Sequence, residues 1–147
     1  MRTDSRLDAL WDRVHESLQR QGMMRHLEVR LLRVEPGLVE IALPYSDKVA
    51  QQQDGFHGGA MGALADIAGG YAALTVAPEG MEVTTAEYKI NFLAGFKAGE
   101  LRAVGRVIKG GKRLIVTSAE VLHVAADGKQ SACAVMQQTI VPVPKTY

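Results

Sequence analysis

Near the start of the chain, Leu7, Leu10, Trp11, Val14 and Leu18 recur at three- and four-residue spacing. That spacing predicts an amphipathic helix, and Gly22 stands where helices favour a C-terminal cap. Two short strands follow, about His26–Val34 and Leu38–Leu43, joined by the turn signal Glu35-Pro36-Gly37. Tyr45 to Phe56 is polar and aperiodic and reads as a loop. It leads into a Gly/Ala-rich apolar run from Gly58 to Ala77, halted by Pro78-Glu79-Gly80. Beyond it an antiparallel meander of four strands is expected. Val83–Leu93 alternates, with Ala86, Tyr88, Ile90 and Phe92 on one face and Glu87, Lys89 and Asn91 on the other. Leu101–Lys109 and Arg113–Val124 flank the hairpin signal Gly110-Gly111, and Asp127-Gly128 precedes a last strand, about Gln130–Val141.

This order predicts an α+β fold in which one curved antiparallel sheet wraps a single apolar helix. The chain is expected to be one domain over residues 1–147, with an extra N-terminal helix at 1–22 and the central helix at 58–77. One sheet on one helix leaves edges and a face uncovered, which oligomerisation would cover.

Composition changes the picture little. The 17 Lys and Arg balance 16 Asp and Glu, for a net charge of +1. No global field attracts nucleic acid or an anionic membrane. Cys133 is the only cysteine, so no internal disulfide is available, and Met1 to Asp12 lacks the apolar run of a secretory signal. A cytoplasmic location is the default expectation. The Gly58–Ala77 run resembles a membrane span in length, and Gly58-x-x-x-Gly62 has the spacing of packed membrane helices. Gly and Ala dominate it, however, and Asp66 near its middle would cost about 2.5–3.5 kcal/mol on insertion. A buried helix in a soluble domain is expected instead.

Asp66 carries the chemical interest. Helical spacing puts Gly59, Gly62, Ala63, Asp66, Gly69, Gly70 and Ala73 on one stripe, and every member but Asp66 is Gly or Ala. Glycine costs about 1 kcal/mol relative to alanine inside a helix, so something must pack close to that face. A carboxylate there needs a partner. Asp66 either caps a loop or pairs with an Arg, or it serves as general base or nucleophile. The second reading gains from Gly58 and Gly59 at the helix start. Free N–H groups there, with the helix dipole behind them, would stabilise an oxyanion formed on a thioester carbonyl. One helix is then expected to supply both donors and carboxylate to a single reacting centre.

His57-Gly58-Gly59, six intervening residues and then Asp66, together with Lys89-Ile90-Asn91-Phe92-Leu93 after the helix, resembles the hotdog-fold acyl-CoA thioesterases of the phenylacetate-degradation (PaaI-like) branch. The resemblance covers roughly Leu27 to Val141. It implies that Asp66 is the catalytic carboxylate and that the Gly58 N–H polarises the thioester carbonyl. It further implies that His57 orders the loop and substrate carbonyl, that Gln51 lies near the nucleophilic water or leaving sulfur, and that Thr85 orients the water. Asp66 of one subunit would work with Gly58 of its partner, in a homodimer with shared active sites and, as in many relatives, a homotetramer of two dimers. The substrate would be an acyl-CoA, with no further cofactor. Two departures stand out: Ala94 follows Phe92-Leu93 where the family often has Pro, and Gln51 replaces the Asn of some members.

The basic hairpin Lys109-Gly110-Gly111-Lys112-Arg113 is either a solvated turn or a contact for the coenzyme A phosphates. Gly59 would admit the substrate close to the backbone. His15, His26 and His123 read as surface or packing residues and Cys133 as a buried small one. No metal-ligand spacing occurs, so no metal is expected, and no nucleotide fingerprint is present. Besides acyl-CoA hydrolysis, two alternatives remain. One is a hydratase or dehydratase on acyl thioesters using His57 and Asp66; the other is a non-catalytic acyl-CoA-binding domain.

Overall fold

The computed structural model describes residues 4–147. Positions 1–3 of the expected N-terminal helix lie outside them. Helix α1 (Ser5–Arg20) begins where the Asp4 carboxylate accepts the Arg6 N–H at 3.1 Å. Its Val14 and Leu18 are buried, with Leu10 and Trp11 packed beside them. Gly22 does not cap this helix. Gln21 does, in an extended conformation, and Gly22 opens a second short helix, α2 (Gly22–His26). The first strand consequently begins at Arg30 rather than near His26.

Strands β1 (Arg30–Glu35) and β2 (Leu38–Pro44) form the expected hairpin about Pro36-Gly37. A 3-10 turn at Asp47–Val49 and a loop then lead to helix α3 (Gly58–Leu74). This helix ends three residues before the expected Ala77, with Thr75 as its cap. There the Arg13 guanidinium donates to Leu74 O at 3.3 Å and Met81 O at 2.9 Å. A cation thus sits at the C-terminal end of α3 and ties it to the start of the next strand. Strands β3 (Met81–Phe92), β4 (Glu100–Lys109), β5 (Ile115–Val124) and β6 (Gln130–Pro144) complete one sheet of six strands.

The sheet is antiparallel throughout, in the order β1-β2-β4-β5-β6-β3. Only β4, β5 and β6 form the expected meander. β3 pairs with β6 at the far edge, and β4 pairs with β2. The connector after β3 crosses the start of α3. Its Leu93 N–H bonds Cys133 O, its Phe96 carbonyl accepts the Phe56 N–H, and its Gly99 carbonyl accepts the Tyr45 N–H. By crossing, the chain puts strands on both flanks of α3, so the sheet curls around the helix. Its backbone comes very close: a Cβ on Gly105 of β4 would lie 2.2 Å from Ala68 O.

Register along β3 also differs from strict alternation. A bulge between Thr85 and Glu87 re-phases the strand. Thr85, not Ala86, thereby faces α3 with Tyr88, Ile90 and Phe92: Thr85 bonds Asp66, the Tyr88 hydroxyl approaches Gly62, and Phe92 covers Gly58. β3 is one of the two edge strands of the sheet, with Tyr88 and Phe92 largely exposed. Among the described residues no helix is long and apolar enough to cross a membrane.

Candidate active site

Asp66 sits in the middle of α3, where Ala65 and Ala68 are fully buried. Its Oδ1 accepts the Thr85 hydroxyl at 2.7 Å and a short hydrogen bond from Gln138 Nε2. The same Nε2 lies 3.0 Å from Thr85 Oγ1 and 3.3 Å from the Asp66 carbonyl oxygen. Behind it, the Thr117 hydroxyl donates to Gln138 Oε1 at 2.8 Å, which fixes which way the carboxamide points. Gln138 and Thr117 are buried completely. Every donor in this chain is aimed toward the carboxylate, which when ionised can only accept. Asp66 neither caps a loop nor pairs with an Arg: the ion pairs of the described residues are Arg30–Glu100, Arg33–Glu35 and Arg102–Glu100.

The close-packed stripe expected along α3 has a specific tenant. A Cβ on Gly69 would lie 2.1 Å from Gln138 Oε1 and 2.8 Å from Thr117 Oγ1. The glycine therefore makes room for the side chains that hold Asp66. Neither Gln138 nor Thr117 was among the residues singled out by motif. Alternation offered a signal for both. Gln138 shares a strand face with buried Ala134, Met136 and Ile140, and Thr117 shares one with Ile115, Ala119 and Val121. A polar side chain on such a face must find an internal partner.

The start of α3 forms a second cluster. His57 is the N-cap: its Nδ1 accepts the Gly59 N–H at 2.7 Å, and its own N–H reaches Val49 O at 2.7 Å. With Nδ1 accepting, a neutral His57 carries its proton on Nε2. The Gly59 N–H is thus occupied, whereas Gly58, at the first helical position, keeps an N–H without a helical partner. Gln51 wraps the adjoining turn. Its N–H bonds Gly55 O at 2.8 Å, and its side-chain oxygen accepts the Gln53 N–H.

Gly58 and Asp66 are eight residues apart on one helix, hence separated by about 12 Å along its axis. Donors and carboxylate of one helix therefore do not meet at one reacting atom, contrary to the simplest expectation. Asp66 and Thr85 form one group, and Gln51, His57, Gly58 and Gly59 another. Lys109, Lys112 and Arg113 lie apart from both, exposed on the β4–β5 hairpin, whose Gly110 neighbours Val76 beyond the other end of α3.

Beside Asp66 lies a cavity of about 380 Å³, walled by the apolar Ile67, Gly70 and Val83 and by polar groups that include Ser17, Arg20, Gln21, Tyr71, Glu82 and Thr85. Burial pushes the Tyr71 hydroxyl above the usual tyrosine range, against hydrogen bonds with Ser17 and Gln21 that pull it down. His123, expected as a surface or packing residue, is buried, stacked on Phe96 and bonded through Nε2 to Ala98 O at 2.9 Å. Cys133 is buried as expected; its thiol donates to Val121 O, and burial pushes it up to about 11. Among the described residues no three His, Cys, Asp or Glu side chains converge into a metal-ligand set.

A central helix wrapped by this sheet, with an oriented carboxylate at mid-helix, is the architecture of the hotdog thioesterases. The family model described as the thioesterase superfamily matches residues 55–125. A Saccharolobus solfataricus protein, assigned by inference as an esterase, is 34% identical over 113 residues, covering 77% of this chain and 79% of that protein. The crystal structure of a thioesterase family protein from Silicibacter pomeroyi has a TM-score of 0.88 and 32% identity, covering 92% of this chain and 99% of that one. The E. coli PaaI protein, from the phenylacetic acid degradation operon, shares the fold with a TM-score of 0.83 at 20% identity, covering 95% and 97% of the two chains. The chain belongs to the thioesterase superfamily, and hydrolysis of a thioester is the general activity this membership supports.

Proposed function

We propose that the protein hydrolyses an acyl-CoA thioester to the free acid and coenzyme A, in the manner of the PaaI-like branch. The observation that carries this reading is the carboxylate of Asp66, gripped at Oδ1 by Thr85 and Gln138 beside a cavity of acyl size. Held so, Asp66 takes a proton from water as the water oxygen attacks the thioester carbonyl. The negative charge passes to the carbonyl oxygen, where a backbone N–H stabilises it. Collapse of that adduct breaks the C–S bond, and the leaving sulfur takes the proton. Direct attack by the carboxylate on the same carbonyl uses the same groups. The C–S bond breaks to expel the coenzyme A thiolate, and water then opens the anhydride to free acid and carboxylate, its released proton going to the thiolate.

The separation of about 12 Å within one helix argues that the oxyanion donor is Gly58 of the partner subunit. The open, partly apolar edge of β3 offers the surface for such a dimer, and two dimers stacked would give a tetramer. The coenzyme A phosphates would lie against Lys109, Lys112 and Arg113. His57 is engaged by the Gly59 N–H as a helix cap, which favours hydrolysis over a hydratase that would need His57 as its base.

Thiol release from phenylacetyl-, hydroxybenzoyl-, short-chain and long-chain acyl-CoAs tests the reading, using wild type and Asp66→Asn. Turnover by wild type, reduced roughly a hundredfold or more in the folded variant, is expected for loss of a general base or nucleophile. Binding of acyl-CoA without thiol release would instead favour the hydratase or a non-catalytic binding domain.

A further inference from the structure

Glycine inside a helix is destabilising relative to alanine, so each one in α3 calls for a reason. Gly69 makes room for Gln138, and a Cβ on Gly62 would already touch the Tyr88 hydroxyl at 3.2 Å. Gly70 is different: nothing lies within 4 Å of where its Cβ would be. Packing within the subunit does not demand a glycine there. The empty space belongs to the cavity beside Asp66, which Gly70 borders. Residues 66 and 70 are one turn apart on the same face, and a helical Cβ leans toward the N-terminus. Any side chain at position 70 would therefore project back toward the carboxylate.

The cavity wall is mixed in character. Ile67, Gly70 and Val83 make an apolar part of it. Also on the wall, the Tyr71 hydroxyl accepts Gln21 Nε2 at 2.7 Å and shares a hydrogen bond with Ser17 Oγ at 3.0 Å. Of its charged lining groups Arg20 is positive and Asp66 and Glu82 are negative; Arg20 lies over the Tyr147 ring at 4.3 Å, and the Tyr147 hydroxyl donates to Glu82. An anionic acyl terminus gains nothing from such a lining. A plain alkyl terminus would strip water from Ser17 and Gln21 and return no hydrogen bond.

We propose that this cavity is the acyl pocket, that Gly70 sets its width, and that Ser17, Gln21 and Tyr71 select an acyl group ending in a neutral hydrogen-bonding group over an unsubstituted chain of equal length. The assignment rests on the hydrolase reading above.

The experiment compares kcat/KM for acetyl-, hexanoyl-, ω-hydroxyhexanoyl-, adipoyl- and cyclohexanecarbonyl-CoA in wild type, Gly70→Ala, Gly70→Leu and the double variant Ser17→Ala/Gln21→Leu. Thermal melting checks each fold, and Gly70→Ala is expected to melt no lower than wild type. Wild type should prefer ω-hydroxyhexanoyl over both hexanoyl and adipoyl by about tenfold, the net worth of one hydrogen bond. The double variant should lose that preference. Gly70→Leu should lower the ratio of cyclohexanecarbonyl to acetyl turnover by about tenfold or more, the size of effect that a filled pocket produces, with Gly70→Ala between. If wild type hydrolyses the series yet shows no hydroxyl preference, or Gly70→Leu leaves the bulky-to-acetyl ratio unaltered, the pocket assignment is overturned while the hydrolase reading stands. If wild type releases thiol from none of them, nor from the aryl- and long-chain esters, both readings fall together.

Discussion

Gln138 donates a hydrogen bond to Asp66 Oδ1 although 72 residues separate them in sequence. The contact depends on a third position: with any side chain at residue 69, the Gln138 carboxamide could not lie where it does. A buried glutamine, a buried threonine and a glycine thus act together to hold one oxygen of a carboxylate that borders the cavity.

Gln138→Leu should therefore lower kcat more than it raises KM, by about ten- to a hundredfold, the worth of a charge-assisted hydrogen bond in a buried setting. It also leaves the Thr117 hydroxyl without its acceptor, costing about 1–3 kcal/mol of stability. Gly69→Ala should reproduce the kinetic loss by displacing the carboxamide, whereas Thr117→Val should show a smaller one. Steady-state kinetics with denaturant melts check these; unaltered kcat in folded Gln138→Leu would remove the glutamine from the mechanism.

A shared active site can be tested by complementation. Gly58→Pro removes the free N–H at the first helical position, where proline is well tolerated, and His57 before it is already extended at φ −65° and ψ 136°. A Cβ at position 58 would meet the exposed Phe92 ring at 3.3 Å. The variant should fold and lose about a hundredfold or more in kcat, as for removal of an oxyanion donor. Mixing it with Asp66→Asn under subunit exchange should restore activity, because one site of each mixed dimer then has both groups. Sites contained within single subunits would give no restoration.

Replacing Lys109, Lys112 and Arg113 together by Ala should raise KM for acyl-CoA and weaken its dependence on ionic strength, with kcat little altered. Initial rates across a salt series separate the outcomes. An unchanged KM would return the hairpin to the role of a solvated turn.

Cys133 should not interfere with thiol-release assays. Its thiol is buried and pushed up to about 11, so almost none is thiolate near pH 8. Native protein is expected to give no fast reaction with a disulfide reagent at that pH, and one thiol per chain after denaturation. A fast stoichiometric reaction of the native protein would contradict the burial.

Several features were legible because they depend on neighbours in sequence. The periodic apolar stripe of α1, the start of α3 at His57-Gly58, the loop before it and the β4–β5 hairpin all follow from local spacing and turn chemistry. Gly22 misled because a helix can also end on an extended residue, after which a glycine is free to begin the next turn. Asp66 was legible as the odd residue on a stripe of Gly and Ala.

The rest needed three dimensions. Strict alternation would turn Thr85 away from the helix; the bulge before Glu87 turns it inward, and a single inserted residue suffices because side chains alternate with period two. The pairing of β3 with β6 rather than β4 was equally hidden, since either neighbour satisfies the same hydrophobic pattern. Sequence by itself determined most of the helices and strands, though not α2, and that a carboxylate lies in the one apolar helix with close packing around it. Only the tertiary structure decided what packs there and which residues hold Asp66. Periodicity and capping are written in consecutive residues, whereas strand order and register are set by which distant surfaces bury one another.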